Sequence, residues 1–121
     1  MSENIEALHF DEQMLGNGVE FAGLVTKNGH LVAAGNDQNN FDLSKDQMEM
    51  FFMSCSLQQR MDQDYDDNFG QVKYTVTERE NFRIITVPQG SDTLIFVMDK
   101  SGEFLSGVKT LLDAIKHVKS L

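Results

Sequence analysis

A chain of 121 residues with 40% hydrophobic and 24% charged content is long enough to bury a core without disulfides or a metal. With 9 Gly and a single Pro it is neither low-complexity nor disordered, and one domain spanning residues 1–121 is expected. Its formal charge of −9, from 19 acidic and 10 basic residues, repels phosphate backbones and anionic lipid heads and argues against a nucleic-acid partner.

From Asn4 to Leu15 the apolar positions Ile5, Leu8 and Leu15 lie near one stripe, with Ser2 as N-cap and Gly16 and Gly18 as the stop, which predicts a short first helix. Phe10 and Met14 fall off that stripe, so this helix packs in a corner or reaches a neighbouring chain. Phe21 to Thr26 and Leu31 to Ala34 read as two strands around the turn Lys27-Asn28-Gly29-His30, where Asn-Gly suits a type I′ hairpin. Gly23 and Gly35 suggest close backbone approach rather than ligand chemistry. The polar connection Asn36 to Asp42 then leads to the segment on which the rest depends.

Ser44 to Met61 is predicted as a helix, with Ser44 and Gln47 as a capping box. At 100° per residue, Met48, Phe51, Phe52 and Cys55 form one stripe, and Met50, Met53, Leu57 and Met61 form the opposite one. Polar seams divide them, Glu49, Ser56 and Arg60 on one side and Gln47, Ser54 and Gln58 on the other. A helix apolar on opposed faces has to be sandwiched between layers or between chains.

The following DQDYDDNFG, five of whose nine residues are Asp or Asn, breaks the apolar period and is expected to end this helix. Gly70 introduces an alternating strand, Gln71 to Glu78, of the kind found at a sheet edge. Arg79-Glu80-Asn81 turns into a strand from Phe82 to Val87, closed by Pro88 and Gly90-Ser91-Asp92. Thr93 to Met98 is apolar throughout and belongs in the middle of a sheet. Finally, Phe104, Leu105, Val108, Leu111, Leu112, Ile115 and Val118 line one face of a last helix. The order α-β-β-α-β-β-β-α gives an α+β fold, a five-stranded antiparallel sheet with helices on both faces. If the outer two helices share one face, the central helix covers the other alone and its Met50 stripe points outward.

Motifs for catalysis are missing. His9, His30 and His117 sit in separate elements without metal-ligand spacing, and no metal is expected. Read as a calcium loop from Asp62, the acidic run puts Asp67 where Gly is required and Lys73 where the bidentate Glu is required. It reads instead as a solvated helix end, weak cation binding being the remaining option. Cys55 falls among Phe51 and Phe52, a small core residue rather than a nucleophile, and it cannot close an internal disulfide. No phosphate-cradling GxxxxGK[ST], no dinucleotide GxGxxG and no GxSxG occurs, so neither cofactor nor enzymatic activity is expected. The start MSENIEALHF lacks the basic segment and apolar run of a secretory signal, and the longest apolar run is strand-sized. A cytoplasmic setting without membrane insertion is expected.

Phe21-Ala22-Gly23-Leu24-Val25, the turn at Asn28-Gly29, and Leu31-Val32-Ala33-Ala34-Gly35 resemble the first hairpin of Roadblock/LC7 domains. Gly70-Gln71-Val72-Lys73-Tyr74 with its exit Thr77-Glu78-Arg79 is similar to small archaeal proteins related to that superfamily. The resemblance runs from about Glu20 to Leu121 and rests on element order more than on a diagnostic motif. It implies a profilin-like fold, pairing of the central helix with its twin, joined edge strands, and a role as scaffold or regulator of Ras-like GTPases and signalling assemblies. It also implies no catalytic residues. Many relatives carry small residues on the central helix where this chain has Phe51, Phe52 and four Met, so helix spacing and crossing differ.

The sequence therefore predicts a homodimeric interaction module, with Met50, Met53, Leu57 and Met61 against their symmetry mates. For Met residues at helical spacing a core role competes with an interface role, and here the opposite stripe already fills the core. The rival is a PAS-like ligand-sensing domain with a pocket between sheet and helix near Phe51 and Phe52. A longin-like trafficking adaptor is a third class.

Overall fold

The computed structural model describes residues 18–35 and 42–100. The first and last predicted helices and most of the polar connection lie outside the described residues. Five strands and a central helix are described: β1 (Val19–Val25), β2 (Leu31–Ala34), α1 (Lys45–Asp62), a 3-10 turn (Gln63–Tyr65), α2 (Asp66–Phe69), β3 (Thr75–Glu78), β4 (Phe82–Gln89) and β5 (Asp92–Asp99). The strands form one antiparallel sheet in the order β2-β1-β5-β4-β3, and the fold is α+β as predicted.

β5 lies in the middle, and seven of its eight residues are buried, because a continuous apolar run can be covered on both faces. Alternation sorts its neighbours into two layers. Phe21, Val25, Ile95 and Val97 form one, closed by Phe52 of α1, with Met48, Phe51, Cys55, Phe82 and Ile84 packed around them. The Phe21 and Phe52 rings stack with centroids 5.6 Å apart. Ala22, Leu24, Ile85, Val87, Leu94, Phe96 and Met98 are buried on the other layer.

Five local expectations are corrected. The β1–β2 connection is not a type I′ turn, since Gly29 has positive φ (80°) and Asn28 does not. Gly29 N donates to Thr26 O at 2.8 Å and Thr26 N to His30 O at 2.9 Å, a longer loop with its left-handed residue third, as in hairpins built on a type I turn.

The seat of α1 is also rotated. Ser56, assigned above to a polar seam, is 1% exposed, whereas Met48, Phe51 and Cys55 are only half-buried. Ser56 and Gln59 are drawn inward because the loop ends they meet present backbone carbonyls that need donors.

The strand expected from Gln71 begins only at Thr75. Thr75 pairs with Thr86, so continuing the register would set Lys73 opposite Pro88. The two-residue loop Gly90-Ser91 makes Gln89 and Asp92 a hydrogen-bonded pair, which turns the backbone of residue 88 toward β3, where proline has no N–H to offer. Pro88 itself continues β4, partnered with Thr93 on the β5 side, rather than closing the strand.

Finally, the acidic segment stays helical after α1, through the 3-10 turn and α2, until Gly70 (φ 84°) stops it. The apolar period does not end at Met61 but recurs at Tyr65 and Phe69.

Candidate functional site

α1 starts as predicted. Gln47 N donates to Ser44 Oγ at 3.1 Å and Ser44 N to Gln47 Oε1 at 2.9 Å, the reciprocal pair that satisfies orphan donors of the first turn. The inner face is then fixed at three levels. Phe52 enters the core, which is worth about 2–3 kcal/mol of burial. One turn on, Ser56 Oγ donates to Lys27 O at 2.8 Å. Further along, Gln59 Nε2 donates to Asp92 O at 3.1 Å and accepts through Oε1 from Thr93 Oγ1. The β1–β2 loop presses on the same helix, since a Cβ on Gly29 would lie 2.8 Å from Met53 Cα. Phe52 with Met48, Phe51 and Cys55 around it, and the hydrogen bonds of Ser56 and Gln59, thus hold the helix to the sheet and its loops.

With its inner face occupied, α1 presents Met50, Met53, Leu57 and Met61 outward, 73%, 45%, 46% and 53% exposed. These are the four residues of the predicted outer stripe, and all four are exposed. Further exposed aromatic side chains follow α1 in the chain. Tyr65 and Phe69 follow along the helical continuation and Tyr74 lies just before β3, none of them assigned to the stripe by the sequence reading. The i, i+4 spacing from Met61 was the signal that could have found Tyr65 and Phe69.

Beside α1 the described residues leave part of the sheet uncovered. A groove of 520 Å³ runs between the helix and the β3–β4 half, with Phe51 and Cys55 on one wall, Ile84 and Thr86 on the floor, and Thr75 and Thr77 opposite. Phe52 belongs to the core rather than to this groove. Burial pushes the Cys55 thiol up to about 11, so it is protonated at neutral pH and a poor nucleophile. Among the described residues no group of three or more His, Cys, Asp or Glu could hold a metal ion, and no helix is long and apolar enough to cross a membrane. His9 and His117 lie outside the described residues, and His30 is exposed beside the hairpin loop.

Residues 3–106 match a family described as a family of unknown function (DUF6659). No curated protein matches the sequence significantly. Among solved structures the fold is similar to the Roadblock/LC7 domain from Streptomyces avermitilis, at 13% identity and a TM-score of 0.63, covering 99% of this chain and 92% of that one. It is similar to MglB of Myxococcus xanthus at 16% identity and a TM-score of 0.66, covering 100% and 98%. Profilin of Schizosaccharomyces pombe matches at 15% identity and a TM-score of 0.62, covering 91% and 93%. At these identities the likeness concerns the fold. The chain belongs to the family of unknown function DUF6659, and its fold is that of Roadblock/LC7 domains, profilin-like in architecture.

Proposed function

We propose that this protein is a non-enzymatic, homodimeric interaction module that scaffolds or regulates a small Ras-like GTPase or a similar signalling assembly. The observation that carries the reading is the exposed line Met50, Met53, Leu57 and Met61 on a helix whose other side is fixed to the sheet. Four adjacent apolar side chains on a rigid helix gain by leaving water, and a two-fold axis between Met53 and Leu57 lets the same line cover itself. Self-association also occurs on this fold, MglB having been solved with a tetrameric arrangement. The protonated Cys55 thiol and the absence of phosphate- or dinucleotide-binding motifs favour a role without catalysis. The choice of a GTPase as the regulated partner rests on the Roadblock/LC7 likeness.

The test is replacement of Met53 and Leu57 by Glu. Sedimentation velocity is expected to show the wild type as a dimer and M53E/L57E as a folded monomer; an unchanged mass with intact circular dichroism rejects the assignment.

A second reading, a PAS-like small-ligand sensor, draws on the groove beside Phe51, whose 520 Å³ lies within the range of small-molecule pockets. A metabolite extract that raises the melting temperature of the wild type, but not of a Thr86→Trp variant that fills the groove, would favour it.

A further inference from the structure

The exposed apolar line does not stop where α1 stops. Past it come Tyr65, 59% exposed, and Phe69, 84% exposed, whose ring centroids lie 6.4 Å apart. Gln63–Tyr65 is a 3-10 turn and Tyr65, at φ −105° and ψ 8°, steps out of helical geometry before the four-residue α2, and the two rings meet across that step. Carboxylates frame this ridge. Asp62 and Asp66 line the groove beside it, and Asp64 directly precedes Tyr65 in the chain. No Lys or Arg occurs between Arg60 and Lys73. An aromatic pair left in water between carboxylates matches an apolar group flanked by cations on both counts.

The ridge is longer than self-pairing uses, an argument that rests on the pairing proposed above. If antiparallel helices place Met53 on Leu57 of the second copy, Met50 falls on Arg60 beside Met61, and the opposite α1 begins, at Lys45, level with the 3-10 turn that follows α1. Phe69 then lies beyond that helix. A second copy therefore leaves the aromatic end bare, and the carboxylates that frame it repel nucleic acid and anionic lipid.

We propose that Tyr65 and Phe69, framed by Asp62, Asp64 and Asp66, dock a basic amphipathic helical segment of a protein partner. Its aliphatic stripe lies on the two rings and its Lys or Arg side chains lie beside the carboxylates.

The test uses the full chain and a fluorescent peptide of about 18 residues, five helical turns, built from Leu and Lys with the Leu on one stripe. Controls are the same composition in scrambled order and a Leu/Glu counterpart. In anisotropy titrations the Leu/Lys helix is expected to bind about tenfold or more tighter than either control and to weaken as salt rises. Y65A/F69A and D64N/D66N are each expected to lose about tenfold or more in affinity, with unchanged circular dichroism. Equal binding of the scrambled peptide, undiminished binding by either variant, or preference for phosphatidylserine vesicles over the peptide overturns the proposal. Sedimentation of the same samples separates this claim from the pairing. A wild type that is monomeric yet binds the peptide sinks the pairing alone, whereas a Y65A/F69A variant that loses mass assigns the rings to self-contact and sinks the docking.

Discussion

Gly29 is the residue at which conformation and packing coincide. Its φ of 80° disfavours any side chain, and a Cβ there would press into the backbone of Met53 rather than into a movable side-chain tip. Gly29→Ala is therefore expected to destabilise the fold by about 2–4 kcal/mol, combining left-handed strain with forced displacement of α1, as read from the urea midpoint. Cys55 gives a pH signature. Its thiol is pushed up to about 11 from an ordinary 9.0, so the folded state holds the proton more tightly than the unfolded state does. The stability this provides is complete below pH 9 and is lost as pH rises toward 11. The difference in unfolding free energy between wild type and Cys55→Ala should be flat at neutral pH and shrink across that window; a difference that stays constant throughout contradicts the burial of the thiol. Residue-scale detail was half legible in the sequence. Ser44 and Gln47 are three positions apart, so their capping box could be read directly. Ser56 and Gln59 could not, because their partners, Lys27 and Thr93, lie 29 and 34 residues away.

At the scale of elements, periodicity found every described strand and the central helix, and it failed where a distant residue intervened. Pro88 shortens β3 from another strand, and no pattern within Gln71 to Glu78 reports that. Replacing it with a residue that has an N–H tests the account. Pro88→Val is expected to let β3 grow back toward Val72, slowing amide hydrogen exchange at residues 72–74 by about tenfold, the effect of one added net hydrogen bond. Exchange at those amides unchanged from wild type would mean that something else ends the strand. The opposed stripes of α1 were legible because hydrophobic spacing on one helix is local information. The rotation of its inner face toward Ser56 was not, since it answers to carbonyls on two loops.

For the molecule as a whole, the fold class followed from the order of elements and the uninterrupted apolar run of β5. Of the exposed apolar side chains, the stripe on α1 was legible in the sequence, and Tyr65 and Phe69 were not read from it. Two copies each carrying −9 repel one another, so the proposed pairing requires apolar contact to drive it. Raising salt from about 0.01 M to about 0.15 M shortens the screening length from about 30 Å to about 8 Å, and self-association is expected to tighten. Sedimentation equilibrium across that range checks the sign, and a dimer that weakens with salt would point to ion pairs instead of the methionine stripe. Docking of a basic segment on the acidic end responds to salt in the opposite direction, so one titration variable distinguishes the two contacts.

Met53 is held from behind and presented in front. The hairpin loop bears on its backbone at Gly29 while its side chain faces water. The middle of the outer face is thereby stiffened before anything arrives. An incoming surface finds its central footing already in place and loses little freedom in settling on it, which favours long residence over rapid exchange.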